Sequence, residues 1–410
     1  MAQSVTPPRG MRDFLPAQKR QRERLIHSIR ETYAAHGFEE IETPVVEDSA
    51  RLHSGLGGDN EKLAFAVMRR GLTHEHLQSA QEPLDLADLG LRFDLTVPLA
   101  RFVASNRASL PSVFRAIQIA PVWRAERPQQ GRFRQFIQCD IDIVGEGGIT
   151  AELELLAATG DALTRLGIPD AYVRVNDRAL LDAVLNAAGV APETQGSALI
   201  TLDKLDKIGV EGVQAELDAL GTPGATILQL ITQLRDGVVP ASMPSNVLDQ
   251  INQLRDAHVG VRLEFDPSLV RGMGYYTGLV FEIAHPDVPY SIGGGGRYDG
   301  LLGRFSGTEV PAVGLSLGFE RLIDLVRLPE DASASVLGLV YDKHVAPALL
   351  VEIKRTLVAS GVGVRLAKRS KNVSAVLAGL QSSGATEFAF VREDSTPESL
   401  EFKPLEGPSS

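Results

Sequence analysis

The chain has little cysteine and no long apolar run, and each shortage excludes a class of protein. Cys139 is the one cysteine among 410 residues, which excludes a disulfide framework and a cysteine-based zinc site. So little cysteine suits a reducing cytoplasm. No apolar run reaches the ~20 residues of a membrane span, and the N-terminus has no apolar signal core. We therefore expect a cytoplasmic protein with no membrane partner.

Basic residues are also fewer than acidic residues. The chain has 41 lysine and arginine residues against 52 acidic residues, a net charge of −11, which argues against a generally basic nucleic-acid binder. Local clusters of charge matter more than this sum. The hydrophobic content of 44% is enough for a substantial core, and the length suits one large domain and one smaller domain.

One stretch, residues 114–145, predicts a long antiparallel hairpin. Phe114–Trp123 is apolar and rich in β-formers, as in a buried strand. Arg124–Arg134 is polar and contains proline and glycine, which is typical of a loop. From 136 to 144 apolar and polar residues alternate, as they do in a strand.

The hairpin concentrates arginine. Between Phe114 and Gln138 one acid, Glu126, stands among five arginines and no lysine; the arginines are Arg115, Arg124, Arg127, Arg132 and Arg134. The planar guanidinium suits bidentate contact with phosphate or carboxylate. The cluster therefore predicts a site for an anionic ligand. The alternative is a solvated hairpin tip that binds nothing specific.

The same stretch resembles motif 2 of the class II aminoacyl-tRNA synthetases. Its segments VWRAERP and GRFRQF are most similar to histidyl-tRNA synthetases. The helix predicted for residues 17–36 and the strand at 37–48 resemble motif 1, which forms the dimer interface in that family. VPAVGLSLGFERLIDLV, at 310–326, resembles motif 3. Nothing in the chain resembles the HIGH or KMSKS segments of class I synthetases.

Two glycine-rich segments follow in the second half of the catalytic region. RGMGYYTG, at 271–278, could be a turn with core tyrosines, but it resembles the histidyl-tRNA synthetase signature RG-x-D-YYTG, with Gly274 in place of the usual aspartate. IGGGGRYDG, at 292–300, suggests a phosphate loop or a tight turn. It lacks the GxxxxGK[ST] form of a P-loop, so that interpretation is rejected.

These patterns predict an α/β (α+β) protein. The resemblance implies an antiparallel-sheet catalytic core of the class II type at residues 1–331, with a helical insertion at about 178–258. Alternating β and α patterns predict a small α/β domain at 332–410, which the resemblance identifies as anticodon-binding, apparently short. Residues 354–371 hold six basic side chains and no acid; an RNA contact and a solvated surface are both open interpretations.

The resemblance implies ATP-dependent activation of histidine followed by its transfer to tRNA(His). It assigns Arg124 and Arg271 to the α-phosphate as catalytic residues. It places Glu126 and Arg321 with Arg124 in the ATP site. Mg²⁺ is expected on the ATP phosphates, and no set of metal ligands is predicted among the chain's own side chains. A homodimer is expected.

The same resemblance assigns the histidine site. Asp94 and Thr96, in LRFDLTVPLARFVA, hold the α-amino group, although a helix cap is the simpler interpretation of Asp94 taken alone. Gln138 assists them. Asp142 and Tyr276 contact the imidazole, with Tyr275 in the same pocket.

Two other functions compete with the synthetase. The regulatory, synthetase-like subunit of ATP phosphoribosyltransferase shares the catalytic fold, but it generally lacks the anticodon domain and has eroded forms of the RG-x-D-YYTG and GRYRQF segments. This chain keeps GRFRQF and most of the other segment, which favours the enzyme. An RNA-sensing pseudo-synthetase domain of a larger kinase is disfavoured because no kinase motif is present.

Overall fold

The computed structural model describes residues 5–53, 64–128, 131–271, 274–326 and 336–405. The chain divides into two compact units, Met1–Arg327 and Leu328–Ser410. The predicted boundary at residues 331 and 332 lies outside the described residues. No helix within the described ranges is long and apolar enough to cross a membrane.

The first unit is built on strands from its whole length. In chain order they are β1 (Glu39–Glu40), β2 (Val46–Asp48), β3 (Phe65–Met68), β4 (Ala87–Leu91), β5 (Phe114–Trp123), β6 (Gln135–Val144), β7 (Tyr172–Asp177), β8 (Arg262–Phe265), β9 (Leu279–Ala284), β10 (Gly293–Arg297) and β11 (Ala312–Gly318). Within the described residues, eight strands form one sheet in the order β1-β5-β6-β11-β10-β9-β7-β8. This sheet is antiparallel from β5 to β7, and β1 and β8 pair in parallel at its edges.

Helices cover this sheet or connect its strands. They are α1 (Pro16–Ala35), α2 (Ser49–His53), α3 (His74–Ser79), α4 (Thr96–Asn106), α5 (Thr150–Arg165), α6 (Arg178–Ala187), α7 (Pro192–Leu202), α8 (Leu205–Ala219), α9 (Gly224–Arg235), α10 (Ser245–Asp256), α11 (Asp299–Ser306) and α12 (Phe319–Leu322). The five helices α6–α10 lie between β7 and β8 in the chain.

The two faces of the hairpin strand β6 have different roles. Its side chains alternate between the two faces of the sheet. Cys139 and Ile141, both 0% exposed, are in the core, and Cys139 lies near Tyr33 of α1. Helices α1 and α5 pack on this face, where each fully buried apolar side chain contributes roughly 1.5–3 kcal/mol. Gln138 and Asp142 point to the opposite face, where the cavity described below lies.

The second unit is a small α/β unit, as the alternating pattern predicted. Its elements are β12 (Val336–Tyr341), α13 (Pro347–Ala359), β13 (Gly363–Lys368), α14 (Val373–Ser382), β14 (Glu387–Val391) and β15 (Lys403–Pro404). The strand order is β13-β12-β14-β15, with β12 parallel to both β13 and β14. Leu339 and Ile353 are fully buried between the sheet and α13.

Several local predictions were wrong. The strand predicted across residues 37–48, with an interruption at Pro44, consists of two strands in different sheets, because Pro44 breaks the ladder and the main-chain carbonyls of Thr43 and Pro44 accept hydrogen bonds from Arg92. β2 joins β4 and β3 in a three-stranded sheet. β3, α3 and β4, which occupy much of residues 64–90, were not predicted. Elements of four to six residues carry too little periodicity to be recognised.

Two further corrections concern the site. Apolar and polar residues alternate from Leu91 to Leu95, which is typical of a strand, but β4 ends at Leu91 and the chain turns into α4. The glycine-rich segment predicted as a loop or tight turn contains β10, an inner strand of the main sheet paired with β9 and β11. Glycine disfavours strands in general, so its presence here requires a separate explanation, which the site provides.

Candidate active site

A cavity of about 910 Å³ opens on the main sheet of the first unit, a size typical of small-molecule sites. All residues predicted for the site line it: Asp94, Thr96, Arg124, Glu126, Gln138, Asp142, Arg271, Tyr275, Tyr276 and Arg321. They come from the β5–β6 hairpin, the turn before α4, the segment before β9 and helix α12.

The glycines of β10 form part of the cavity floor. A Cβ on Gly294 would lie 2.7 Å from Nη2 of Arg271, and one on Gly296 would lie 2.9 Å from Cδ1 of Tyr276. Both positions are on the same face of the strand, since they are two residues apart. The run of glycines therefore allows the two site side chains to lie directly against the backbone of the sheet.

The side chain of Asp142 also depends on a glycine, which lies in the neighbouring strand β11. Its register partner is Gly314 of β11, where a Cβ would lie 1.8 Å from Oδ1 of Asp142. Oδ1 accepts a hydrogen bond of 2.5 Å from the hydroxyl of Tyr298. Tyr298 was not predicted as a site residue, although it stands in the glycine-rich segment. Oδ2 of Asp142 is buried and has no hydrogen-bond partner among the residues that the structure describes.

The carboxylate of Asp94, like that of Asp142, has one oxygen that accepts a hydrogen bond and one that does not in the described structure. Oδ1 accepts a hydrogen bond of 3.2 Å from the backbone N–H of Val97 in the first turn of α4, although the N-cap residue is Leu95. Oδ2 is buried and has no hydrogen-bond partner in the described part of the chain. One carboxylate thus satisfies an N–H group at the start of a helix and also presents an unpaired oxygen. A buried acceptor without a donor is costly, and a ligand with N–H donors would remove that cost.

Asp140 is a third buried carboxylate, which the sequence analysis did not select. Gln138 Nε2 donates to its two oxygens at 3.1 and 3.2 Å and also lies 3.3 Å from the Ser316 hydroxyl. Gln138 Oε1 in turn accepts from Arg124 Nη2 at 3.4 Å. The signal was available, because Asp140 shares the alternating polar face of Gln138 and Asp142.

Burial raises the pKa of all three carboxyl groups. The pKa of Asp94 rises to about 6 and that of Asp140 to about 7. The pKa of Asp142 rises well above its ordinary value, because burial and the nearby charge of Asp140 both oppose ionisation. This end of the cavity is therefore prepared for a cation, which would favour the charged carboxylates.

Arg124, Arg132, Arg271 and Arg321 line the same cavity and define what we call its arginine end. Burial lowers the pKa of Arg321, and repulsion from Arg132, Arg271 and Arg124 lowers it further. Fixed acceptors orient them: Arg124 Nε donates to the carbonyl of Phe93 at 2.9 Å, and Arg321 Nη1 donates to that of Ser291 at 2.6 Å. Four cations that repel one another form a site for an anion with several charges. Glu126 lies among them, 3.5 Å from Arg132.

Arg271 is held by a residue that the sequence analysis missed. Its Nη1 donates to Oε2 of Glu282 at 2.9 Å. Oε1 of Glu282 accepts from Arg174 at 2.8 Å, and Arg174 also pairs with Asp266. These contacts orient Arg271 although Gly274 replaces the usual aspartate. Gly274 is exposed.

Tyr275, Tyr276 and Tyr298 line the cavity and pack against one another. The Tyr275 ring meets those of Tyr276 and Tyr298 edge-on, with centroids 4.9 and 5.9 Å away. The hydroxyl of Tyr275 interacts with Thr96. Burial raises the pKa of Tyr276 to about 12, so the phenol stays protonated and can donate a hydrogen bond to a ligand.

This division of charge agrees with the comparison with known sequences. Residues 10–322 match the sequence profile of the family described as histidyl-tRNA synthetase. The chain belongs to this family. It is 54% identical over 428 aligned positions to the histidine–tRNA ligase of Leifsonia xyli subsp. xyli, with 99% of each chain covered. The ligase of Aeropyrum pernix is 40% identical over 78% of this chain and 73% of its own.

Solved structures agree on the fold. The histidyl-tRNA synthetase of Nostoc sp. PCC 7120 superposes with a TM-score of 0.75 at 25% identity, covering 98% of this chain and 95% of the other. A Bacillus halodurans protein described as an ATP phosphoribosyltransferase regulatory subunit/histidyl-tRNA synthetase has a TM-score of 0.76 at 21% identity, covering 95% and 99%. That likeness concerns the fold alone. The predicted class II fold and histidine–tRNA ligase function are confirmed.

The raised carboxyl pKa values predict how stability depends on pH without substrate. Asp94 and Asp140 have pKa values of about 6 and 7 when folded, above the ~3.9 of an unfolded aspartate. Their contribution to stability is complete below pH ~4 and is lost as pH rises through 6 and 7. Relative to the natural protein, Asp140→Asn should therefore be roughly 2–4 kcal/mol more stable at pH 8 and gain less at pH 5.5.

Thermal unfolding at the two pH values checks this, with Asp170→Asn as the matched control. Asp170 is exposed, so its variant should follow the natural protein at both pH values. If Asp140→Asn gains no more stability at pH 8 than at pH 5.5, the buried carboxyl is not a source of instability.

Proposed function

We propose that the cavity binds histidine at its acidic end and ATP at its arginine end and joins them as histidyl-adenylate. One observation carries this proposal. Two buried carboxylate oxygens, on Asp94 and Asp142, have no hydrogen-bond partner among the described residues and share one cavity with five arginines, which include Arg124, Arg271 and Arg321. Histidine brings an α-ammonium group and an imidazole N–H for the oxygens, and ATP brings a polyphosphate for the arginines.

The first step needs positioning more than proton transfer. An oxygen of the histidine carboxylate attacks the α-phosphorus of ATP, and the bond to the β-phosphate oxygen breaks with release of pyrophosphate. The carboxylate is already ionised at neutral pH, so no general base is required. Negative charge grows on the α-phosphate. Arg124 and Arg271 are proposed to neutralise that charge from opposite sides, as fixed donors in a site prepared for it.

The histidine contacts follow from the free groups at the acidic end. Asp94 accepts from the α-ammonium group, with Thr96 and Gln138 beside it. Asp142 accepts from the imidazole N–H, while the protonated phenol of Tyr276 donates to the other ring nitrogen. The ring of Tyr275 lines the histidine pocket beside these groups. An apolar analogue would leave these buried groups unpaired, so the site should reject it strongly.

ATP is proposed to occupy the arginine end with its magnesium. Arg321 and Arg124 contact the nucleotide, and Arg132 adds a cation to the loop. No group of three or more metal-ligating side chains exists in the described ranges, which fits a Mg²⁺ held mainly by phosphate oxygens. Glu126 is the carboxylate in the loop that would complete its coordination. The cation would neutralise phosphate charge when bound.

The second unit is proposed to contact the anticodon arm of tRNA(His). Arg355, Arg365, Lys368 and Lys371 are exposed on α13, β13 and the turn after it. Arg369 is partly neutralised by Asp342 at 3.4 Å. A basic surface of this kind binds an RNA backbone through its phosphates. The second step would transfer histidine from the adenylate to the tRNA held in this way.

We also propose a cytoplasmic homodimer. The small sheet β2-β4-β3 exposes apolar side chains, with Val46, Met68 and Leu89 exposed by 37%, 61% and 38%. A clustered apolar surface of this kind is typical of an interface. A cytoplasmic location agrees with Cys139, which is free and buried.

The role of Arg271 gives the first test of catalysis. If it stabilises the charge that grows on the α-phosphate, Arg271→Ala should lower kcat of histidine-dependent ATP–pyrophosphate exchange ~10²-fold or more. KM for ATP and histidine should change much less. Arg271→Lys should restore only part of the rate, because an ammonium cannot reproduce the forked contact.

The melting temperature, measured on the same preparations, separates catalysis from folding. A purely structural Arg271, tied to Glu282, would lower stability and reduce activity only in proportion to the folded fraction. A folded Arg271→Ala protein with near-normal kcat would refute the catalytic role.

A truncation tests the division of labour between the units. Every candidate site residue precedes Leu328, and the basic residues of the second unit follow it. A chain that ends at Leu328 should keep most of its exchange activity but charge tRNA(His) at least ~10-fold more slowly, as expected if several phosphate contacts are lost. Steady-state assays of both reactions check this, with circular dichroism to verify folding. Equal loss of both activities in a folded fragment would contradict the proposal.

Light scattering tests the dimer. The natural chain should have twice its monomer mass at micromolar concentration. Met68→Glu should shift it toward monomer, since a charge on an apolar interface is costly. Val351→Glu, at a residue of α13 exposed by 51%, is the matched control and should leave the mass unchanged. A natural chain that is monomeric at this concentration rules out the dimer.

A further inference from the structure

The segment that precedes α1, residues 8–14, has no role in the mechanism above. It nevertheless contacts both arginine-bearing parts of the ATP end, the loop of the β5–β6 hairpin and helix α12. We propose that this N-terminal segment is part of the ATP site, and that Arg12 is a positioning residue that holds the hairpin loop to α12. The proposal rests on the proposed binding of ATP.

The segment first joins the hairpin loop through its backbone. The carbonyl of Gly10 accepts a hydrogen bond of 2.8 Å from the N–H of Arg134. Gly10 has a φ of +82°, and a Cβ there would lie 2.8 Å from Cγ of Pro128 and 2.9 Å from Cγ of Arg134. Glycine is therefore required on both conformational and steric grounds. This close approach fixes the returning half of the loop that begins at Arg124.

Arg12 adds a side-chain contact to the same loop. The centre of its guanidinium lies 3.5 Å from the centroid of the Phe133 ring, within the range of a cation–π interaction. Phe133 itself lines the cavity. The guanidinium therefore supports the loop from outside while the ring faces the nucleotide space.

The other end of Arg12 is tied to α12. Its guanidinium pairs with Glu320. Arg22 of α1 also binds Glu320, through Nη1 at 2.7 Å and Nη2 at 2.5 Å, and both side chains are only 4% exposed. A buried bidentate pair of this kind is rigid. Glu320 is therefore a fixed anchor, and it directly precedes Arg321, which is proposed to bind ATP.

The two pairs on Glu320 have different roles. Arg22 anchors α12 to α1 and is part of the core. Arg12, whose side chain is 38% exposed, is the member that extends from the anchor to Phe133. Without Arg12 the anchor remains, and so does the 3.4 Å hydrogen bond from Arg321 Nε to the carbonyl of Gly131, but the loop loses the contact that joins Phe133 to Glu320 of α12. ATP must then order the loop as it binds, so its apparent affinity falls. Histidine binds at the other end and should be unaffected.

Kinetics of ATP–pyrophosphate exchange test the proposal. Arg12→Ala should raise KM for ATP ~5-fold or more, which is the order expected from losing one cation–π contact and its ion pair. KM for histidine should stay within ~2-fold, and the melting temperature should fall little because the Arg22–Glu320 pair remains. Arg12→Lys keeps the charge and should recover part of the affinity. On a Phe133→Ala background, Arg12→Ala should have little further effect on KM for ATP.

Arg9→Ala is the matched control. Arg9 lies in the same turn and is exposed, so its removal should leave both KM values unchanged. The proposal is overturned if folded Arg12→Ala has a normal KM for ATP, or if Arg9→Ala raises that KM equally. Calorimetric titration with ATP alone separates this result from failure of the proposed function. A natural protein that binds ATP but shows no exchange would refute the function and still allow the affinities of the variants to be compared.

Discussion

The site depends on the lack of side chains at a few positions of the main sheet. Gly294 and Gly296 leave room for Arg271 and Tyr276, and Gly314 leaves room for Asp142. A methyl group at any of these positions would overlap a site side chain, or force it to move from the sheet. The same backbone that pairs the strands therefore also forms the cavity floor, with the Arg271 side chain against β10 and the Asp142 side chain against the neighbouring strand β11. The cationic arginine and the acidic carboxyl group, which suit ligand groups of opposite charge, therefore share one small cavity.

Without substrates, the cavity contains buried carboxyl groups and closely spaced arginines, and both arrangements disfavour the charged forms of these side chains. Burial raises the pKa of Asp94 to about 6 and that of Asp140 to about 7, and burial together with repulsion from the other arginines lowers the pKa of Arg321. Natural sites commonly give up stability in this way for function. Histidine and ATP carry the complementary charges, so binding removes both penalties. Glu282 and Glu320 act differently, because they pair with arginines and hold them in fixed directions.

Much of this could be predicted from the sequence because the signals are local. The β5–β6 hairpin, helix α1 and the alternating polar face of β6 follow from periodicity, and the family motifs indicated the residues of the cavity. The support for these residues could not be predicted. Arg22 and Glu320 are 298 positions apart, and only the folded sheet brings Glu282 to Arg271. β10 was missed because glycine carries no side-chain pattern, although it was there that the absence of side chains mattered most.

A crystal structure with a non-hydrolysable analogue of histidyl-adenylate tests the central claim most directly. We expect the imidazole N–H to donate to Oδ2 of Asp142 and the α-ammonium group to Oδ2 of Asp94, both now unpaired. The phosphate group should lie between Arg124 and Arg271, within hydrogen-bond distance of both. An analogue bound with its imidazole away from Asp142, or with its phosphate out of reach of Arg271, would contradict the assignment of the two ends of the cavity.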